Sequence, residues 1–394
     1  MRPATDSSAY GLYASSSASE RPAPSAARHP HDTDAADVVK VVRADSTLDP
    51  TTDPHLAPAE LHRLYTAMVR LRLIDTRLTA LQHEGRIGSH AGSLGEEATV
   101  LGAAFAMREK DWIFPSYREI GAALLRGLPL QRYLDSAFGN GSDPAKGRQE
   151  PDHAGFRAGH VASASAPSGT QITHAVGFAW AAKIKRDELA VLAFFGDGAT
   201  SSNEFHNGLN FAGVFKAPVV LLCRNNGWAN SAPTERQTGS ATFAEKGIAY
   251  GIPSVRVDGN DLLAVVKVTR DAVARAARGE GPTLIEALTY RMGSHLSGDD
   301  TTAYRTEASL DAWRALDPIA RLRRHLDRHH AWNEAGEKAI AEGLAAELEA
   351  AIASAEKAPA PSLETLFADV FATPPWHLVE QREALKKGPR PRGR

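Results

Sequence analysis

Cysteine, charge imbalance and long apolar runs are the features that this sequence has least of. Its single cysteine, Cys223, excludes an internal disulfide framework, and its place in an apolar run favours a buried, inert thiol. The 45 lysines and arginines nearly balance the 47 aspartates and glutamates, which gives a formal charge of -2 and no electrostatic footprint for nucleic acid or an acidic membrane. No apolar run approaches the roughly 20 residues that a membrane-spanning helix needs, so we expect a soluble protein.

The N-terminal stretch, residues 1–53, lacks the apolar segment of a signal peptide. It is rich in alanine, serine, proline and aspartate, and it carries acidic residues that mitochondrial transit peptides avoid. We therefore expect a disordered extension over residues 1–53 and a cytoplasmic location.

The most informative part of the chain is residues 189–231, where apolar runs alternate with polar turns. Residues 189–195 form an apolar run of a length typical of a strand that is buried on both faces. Residues 203–215 show apolar side chains at helical spacing, and residues 218–223 form a second apolar run. This order predicts one βαβ unit with polar turns at the carboxyl ends of both strands.

The two polar turns carry residues suited to a metal and a phosphate. Asp197 lies between Gly196 and Gly198, so it can approach a ligand closely at the sheet edge where open α/β folds bind ligands. Asn226 ends the second strand, and its amide oxygen together with the Asp197 carboxylate suits a magnesium ion that also holds phosphate oxygens. Arg224 beside it is placed to bind phosphate. Each turn alone is more often an ordinary turn, but two at neighbouring strand ends favour a ligand site.

The pattern G-D-G followed by N-N resembles the signature of thiamine diphosphate enzymes, in which the aspartate and the second asparagine hold magnesium against the cofactor diphosphate. Along most of residues 61–371 the chain also resembles the alpha subunit of the decarboxylating first component of 2-oxo acid dehydrogenase complexes. The segments that carry this resemblance are IGSHAGSLGEEA (87–98), FPSYREIG (114–121), AKGRQ (145–149), TQITHAVG (170–177), SVRVDGND (254–261) and YRMGSHLSGDDTTAYR (290–305).

This resemblance implies specific cofactor and metal positions. The implied cofactor-binding residues are Tyr117, Arg118, Ala166, Ser168, Gly196, Asp197, Gly198, Ala199, Arg224, Asn226 and His295. The implied magnesium ligands are Asp197, Asn226 and the carbonyl of Trp228, and the implied ligands of a structural potassium ion are Ser165, Pro167, Thr170 and Gln171. An ordinary helix-capping turn is the alternative for the potassium segment. His295 is also the predicted catalytic residue, because an imidazole just past a strand end can donate to a phosphate or move a proton near neutral pH.

Helical patterns precede the central unit. One covers residues 58–85, where apolar side chains recur at threes and fours. A second helix is expected to begin at about Ser116, with Tyr117 and Arg118 in its first turn, where the backbone donors and a guanidinium would bind an anion.

Beyond the central unit, further alternation predicts a doubly wound, mostly parallel α/β sheet. Strands are expected over residues 254–257 and 283–290, with a helix over about 261–278 between them. Residues 313–371 show helical patterns rich in alanine, glutamate and arginine, which we assign to packing and subunit contact. The predicted divisions are an extension over 1–53, the cofactor-binding domain over 54–372 and a C-terminal tail over 373–394.

Some positions depart from the family pattern. Ala166 replaces a serine and Trp228 replaces a tyrosine, but both positions act through the main chain. Ser294 stands where relatives often carry the first histidine of a pair. Leu296 stands where mitochondrial relatives have a regulatory serine, so phosphorylation at that position is chemically impossible.

No stretch resembles the pyrimidine-binding domain with its activating glutamate. In the resembled family that domain belongs to a separate beta subunit, so we expect two alpha and two beta chains, with acyl transfer to a lipoyl domain of the second component. The segments CRNNGWANS (223–231), GRQ (147–149) and VRVDGND (255–261) favour a branched-chain 2-oxo acid as substrate. The alternatives are a pyruvate dehydrogenase alpha subunit and a non-catalytic paralogue that binds a partner.

Overall fold

The structure, a computed structural model, describes residues 35–43, 46–153, 155–296, 298–328 and 334–388. A six-stranded parallel sheet in the order β1-β7-β8-β4-β3-β2 forms its centre, and β5 and β6 form a small antiparallel pair. The strands are β1 (Val38–Val39), β2 (Trp112–Phe114), β3 (Val191–Gly196), β4 (Val219–Asn225), β5 (Trp228–Ala229), β6 (Ala232–Pro233), β7 (Ser254–Asp258) and β8 (Thr283–Leu288). The helices are α1 (Pro58–His83), α2 (Glu97–Ala106), α3 (Ile120–Leu125), α4 (Leu130–Phe138), α5 (Thr170–Lys185), α6 (Asn203–Phe215), α7 (Leu262–Ala277), α8 (Glu307–Arg314), α9 (Pro318–Arg328), α10 (Glu334–Lys357), α11 (Thr365–Ala368) and α12 (Trp376–Lys387).

Helices cover both faces of the sheet, which confirms the predicted doubly wound α/β class. Side chains of β3 alternate between two hydrophobic cores because successive residues of a strand point to opposite faces. Leu192 and Phe194 join the core that contains residues of α1, α2 and α7. Ala193 and Phe195 join the core that contains residues of α5 and α6. This double burial explains why the β3 sequence is a continuous apolar run.

The predicted βαβ unit is confirmed and sets the position of the polar turns. Gly196 at the end of β3 pairs with Arg224 near the end of β4, so the two strands end at the same edge of the sheet. Ser202 caps α6, since its hydroxyl accepts a hydrogen bond from the Phe205 N–H at 3.2 Å. Cys223 is buried in the core, as expected of an inert thiol.

The prediction that the disordered extension reaches residue 53 is wrong for residues 35–43 and 46–53. The two-residue strand β1 pairs in parallel with β7, and Val41 and Val42 are buried. Both of these valines donate their N–H groups to the Asp261 carboxylate, at 2.8 and 2.7 Å. Such a short strand leaves no periodic signal, because long-range hydrogen bonds and burial hold it in place. The remainder of the predicted extension lies outside the described residues.

The prediction of a helix beginning at Ser116 is also wrong, because α3 begins at Ile120. Glu119 has φ -107° and ψ 34°, outside the helical range, and its carboxylate accepts a hydrogen bond from the Ser116 hydroxyl at 2.8 Å. Tyr117 and Arg118 therefore lie in an irregular turn before the helix. Side-chain contacts, described below, hold this turn in place of helical backbone hydrogen bonds.

The C-terminal half is helical as predicted, and α12 lies within the segment assigned to the tail. The predicted division at residue 372 is untested and stays a prediction. Within the described residues, no helix is both long enough and apolar enough to cross a membrane.

Candidate cofactor site

A cavity of about 270 Å³ lies at the carboxyl ends of β3 and β4. Its wall contains most of the cofactor and magnesium positions that were predicted from the sequence, from five separate parts of the chain. These lining residues are Tyr117, Arg118, Ser168, Gly196, Asp197, Gly198, Ala199, Arg224, Asn226, Trp228 and His295. Ala166 instead lines a neighbouring cavity of about 370 Å³, which shares Tyr117, Ser168 and His295 with the first.

The two predicted magnesium ligands lie in the wall of the same cavity, and each is held by a further side chain. Asp197 is buried, and its Oδ2 accepts a hydrogen bond from Gln237 Nε2 at 2.8 Å. Asn226 is also buried, and its Nδ2 donates to Glu96 Oε1 at 3.1 Å. Its Oδ1 accepts the Trp228 N–H at 3.2 Å, so this oxygen keeps one lone pair for another partner.

Arg224, the predicted phosphate ligand, is fully enclosed between two buried carboxylates. Nη1 donates to Glu96 at 2.8 Å, and Nη2 lies 2.5 Å from Glu119. Burial disfavours the charged guanidinium, but attraction from Glu119 and Glu96 outweighs it and raises the pKa of Arg224. Its Nε is buried and has no hydrogen-bond partner among the described residues. Arg224 therefore keeps its charge and offers at least one unused donor.

Arg118 connects two loops in the wall of the cavity. Its Nη1 donates to the Gly92 carbonyl at 2.8 Å, and its Nη2 donates to the His295 carbonyl at 2.9 Å. The same Nη2 lies 3.3 Å from His295 Nδ1, which must act as the acceptor because a guanidinium can only donate. This contact assigns the imidazole proton to Nε2, which lies 3.5 Å from the Tyr117 hydroxyl.

The surroundings of His295 lower its basicity. Burial and the positive charges of Arg118 and Arg291 lower the pKa of His295 to about 4. At pH 7 the imidazole is therefore neutral and donates only through Nε2. The predicted catalytic role of His295 stays a prediction.

We predict that His295 titrates near pH 4 in the isolated chain, well below the usual value of about 6.5. NMR spectra of histidine-labelled protein would measure this, with the resonance assigned by its loss in His295→Gln. A midpoint between pH 6 and 7 for that resonance would contradict the placement of the two guanidinium groups around it.

The predicted potassium positions are only partly brought together. Ser165 and Gln171 line the cavity, while Pro167 and Thr170 do not. The Thr170 hydroxyl donates to the Pro167 carbonyl at 3.0 Å, and Gly169, the residue that precedes α5, makes no side-chain capping bond. Gln171 Nε2 donates to the Phe194 carbonyl at 2.8 Å, and its Oε1 is buried without a hydrogen-bond partner in the described structure.

Sequence reasoning missed several polar residues around the site. Glu96 and Glu119 are buried and contact Arg224, and the half-buried Gln237 donates to Asp197. Glu96 and Glu119 lie in two of the segments that carry the family resemblance, but neither was assigned a role from the sequence. His90 is buried and lines neither of these two cavities. Its partners are Asp75, Asp152 and Tyr133, which come from three distant segments.

Comparison of the sequence with known protein families agrees with the fold and with the residues of the cavity. The family model for the dehydrogenase E1 component matches residues 65–364. The chain belongs to the dehydrogenase E1 component family, which confirms the enzyme class predicted from the sequence. Membership of this family implies thiamine diphosphate as the cofactor.

The chain is similar to alpha subunits of the branched-chain type. It is 40% identical over 346 residues to the 2-oxoisovalerate dehydrogenase subunit alpha, mitochondrial, of Mus musculus, covering 88% of this chain and 78% of the relative. The Homo sapiens protein of the same name shows the same identity and coverage. The alpha 2 subunit of Arabidopsis thaliana is 41% identical over 326 residues, covering 82% of this chain and 69% of the relative. The resemblance inferred from the sequence is thereby confirmed.

The same comparison corrects the predicted location. All three of these relatives carry the word mitochondrial in their names, which contradicts the expectation of a cytoplasmic protein. That expectation depended on the acidic residues of the N-terminal stretch, so composition there was a poor guide.

Proposed function

We propose that this chain is the alpha subunit of a branched-chain 2-oxo acid dehydrogenase first component, which binds thiamine diphosphate through magnesium. The observation that carries the proposal is the shared cavity wall of Asp197 and Asn226, with Arg118 and Arg224 beside them. Two oxygen ligands and two guanidinium groups at one sheet edge form a donor set suited to a magnesium diphosphate. The reaction is oxidative decarboxylation with acyl transfer to a lipoyl domain.

Unpaired buried polar atoms around the cavity support a polar ligand. Arg224 Nε, Trp228 Nε1 and Gln171 Oε1 are buried and make no hydrogen bond to any described residue. Buried polar groups are almost always hydrogen-bonded, so each such atom calls for an explanation. All three belong to residues that line this one cavity. A diphosphate with its metal would give partners to groups of this kind.

The donor set also suits the individual ions. Asp197 and Asn226 would hold magnesium, together with the Trp228 carbonyl, and the phosphate oxygens would complete the coordination. For potassium, the unpaired Gln171 Oε1 is the best supported ligand, with Ser165 near it in the cavity wall and Pro167 and Thr170 in the adjoining turn.

Bound thiamine diphosphate would supply the carbon nucleophile and the electron sink for decarboxylation. The residues of this chain would orient and hold it. Arg118 positions the loop of His295 through two hydrogen bonds, and the neutral imidazole, which lines the cavity, carries its proton on Nε2. A beta subunit would add the activating glutamate that this sequence lacks. We propose an assembly of two alpha and two beta chains that delivers its acyl group to the lipoyl-bearing second component.

The substrate chamber is assigned to the second cavity, of about 370 Å³. It adjoins the cofactor cavity at Tyr117, Ser168 and His295, and its wall includes Ala91 and Leu296. The aliphatic side chains of Ala91, Ala166 and Leu296 in this wall suit a branched aliphatic substrate better than the methyl group of pyruvate. The branched-chain relatives support the same preference.

Reconstitution with a purified beta subunit, thiamine diphosphate and Mg²⁺ tests this function. Decarboxylation followed with a dye oxidant is expected to give a kcat/KM for 3-methyl-2-oxobutanoate at least about 10-fold above that for pyruvate, the discrimination expected from additional buried methyl groups. The two alternatives give different results. A preference for pyruvate would identify a pyruvate dehydrogenase alpha subunit, and no turnover with either substrate, despite assembly, would identify a non-catalytic paralogue.

A further inference from the structure

Glu96 is a buried carboxylate that lies behind the cavity wall and contacts two of its functional groups. The residue is fully buried at the start of α2. Its Oε1 accepts hydrogen bonds from both Arg224 Nη1, at 2.8 Å, and Asn226 Nδ2, at 3.1 Å. Its Oε2 has no hydrogen-bond partner among the described residues. One oxygen of Glu96 therefore joins the predicted phosphate ligand to a predicted metal ligand.

The contact with Asn226 matters because a carboxamide has two different ends. Only the oxygen can ligate magnesium, and a rotation of 180° about the last side-chain bond would present two N–H donors instead. A carboxylate can only accept, so Glu96 Oε1 must face the NH₂ end of Asn226. The Trp228 N–H, which donates to Asn226 Oδ1 at 3.2 Å, favours the same orientation. The two contacts together fix which end of the amide is available to a metal.

We infer that Glu96 is a positioning residue, which fixes the amide of Asn226 for magnesium and anchors the guanidinium of Arg224 for phosphate. This inference depends on the proposed function, because it concerns the same cofactor site. Such supporting contacts orient ligands and tune metal affinity, with changes of about 10- to 100-fold when they are removed.

The neighbouring residue provides a matched control. Glu97 is equally buried, but its carboxylate bonds to Arg72 at 2.7 Å and to the Gly95 N–H at 3.0 Å, outside the cavity wall. Glu97→Gln therefore changes a buried carboxyl group one position away without touching the predicted ligands.

To test this inference, Mg²⁺ is titrated into the assembled alpha–beta enzyme in the presence of thiamine diphosphate. Cofactor binding is followed by tryptophan fluorescence, because Trp228 lines the cavity. Glu96→Leu removes the acceptor and is expected to raise the half-saturating Mg²⁺ concentration at least about 10-fold. Glu96→Gln keeps an oxygen that accepts the same two bonds, so it should stay within about threefold of the wild type. Glu97→Gln should match the wild type. Equal changes in Glu96→Leu and Glu97→Gln would overturn the inference.

A second comparison uses only substitutions that keep the size and shape of the side chain. In the Asn226→Asp variant, the new carboxylate at position 226 faces the carboxylate of Glu96, and the two repel each other. Adding Glu96→Gln replaces this repulsion with a hydrogen bond from the amide at position 96 to the carboxylate at position 226. We expect Glu96→Gln to tighten Mg²⁺ binding at least about fivefold in the Asn226→Asp background and by much less alone. Equal effects in both backgrounds would show no coupling and would refute the inference. If the wild-type enzyme itself showed no Mg²⁺-dependent cofactor binding, the proposed function would fail instead.

Discussion

Asp197→Ala is expected to weaken the binding of thiamine diphosphate by the assembled enzyme in the presence of Mg²⁺ at least about 30-fold. The loss of one member of a buried, hydrogen-bonded charged contact typically costs about 2–5 kcal/mol, and 1.4 kcal/mol corresponds to a factor of 10. Asp197 is buried between two glycines at the end of β3, so no nearby side chain on that turn can replace its carboxylate. Calorimetric titration with the cofactor, at saturating Mg²⁺, measures the effect.

Asp187→Ala is the control for this experiment. Asp187 is an exposed carboxylate in the turn between α5 and β3, and its removal should leave cofactor affinity unchanged. Thermal unfolding of both variants would separate a binding defect from misfolding, because Asp197→Ala also removes the acceptor of a Gln237 hydrogen bond. Unchanged affinity in a folded Asp197→Ala enzyme would remove this residue from the metal site.

The substitution His90→Gln is expected to cause a large loss of folding stability. The imidazole of His90 lies 3.1 Å from Asp75 and 3.7 Å from Asp152, and all three side chains are buried. Burial by itself would lower the pKa of His90, but the hydrogen bonds and charges of Asp152 and Asp75 raise it to about 10. His90→Gln leaves both carboxylates without their cation, which is expected to cost about 3 kcal/mol or more. The thermal unfolding midpoint should fall by about 5 °C or more.

The pH dependence of this effect has a definite sign. The pKa of His90 is raised on folding from 6.5 to about 10, so its contribution is complete below pH 6.5 and is lost as the pH rises toward 10. The stability difference between wild type and His90→Gln should therefore shrink between about pH 7 and 10. His83→Gln, at the exposed end of α1, provides the control. A difference that stayed constant across this range would show that His90 is not held as a buried cation.

The elements that could be predicted best from the sequence are those whose pattern of apolar residues is local. The helix α6 spans Asn203–Phe215, as its apolar spacing indicated, and β3 and β4 follow their apolar runs within two residues at each end. Because parallel strands end at one sheet edge, the approach of Asp197 and Asn226 followed from the topology alone. The family resemblance added Tyr117, Arg118 and His295, which lie far from this unit in the chain.

The features that were missed depend on long-range contacts. The turn before α3 is held by the hydrogen bond from Arg118 to the Gly92 carbonyl and by the Ser116–Glu119 hydrogen bond. Neither contact produces a periodic pattern of residues in the sequence. The buried carboxylate of Glu96 lies in a glycine-rich loop and helix start, where the sequence alone would favour exposure. Its partners become visible only when α2 is packed against the ends of the strands.

The most direct test of the account is a structure of the assembled alpha–beta enzyme with thiamine diphosphate and Mg²⁺. We predict that the metal will lie between the carboxylate of Asp197 and the Oδ1 atom of Asn226, with the diphosphate beside Arg118 and Arg224. A diphosphate bound away from this cavity, or a metal that neither Asp197 nor Asn226 ligates, would contradict the account.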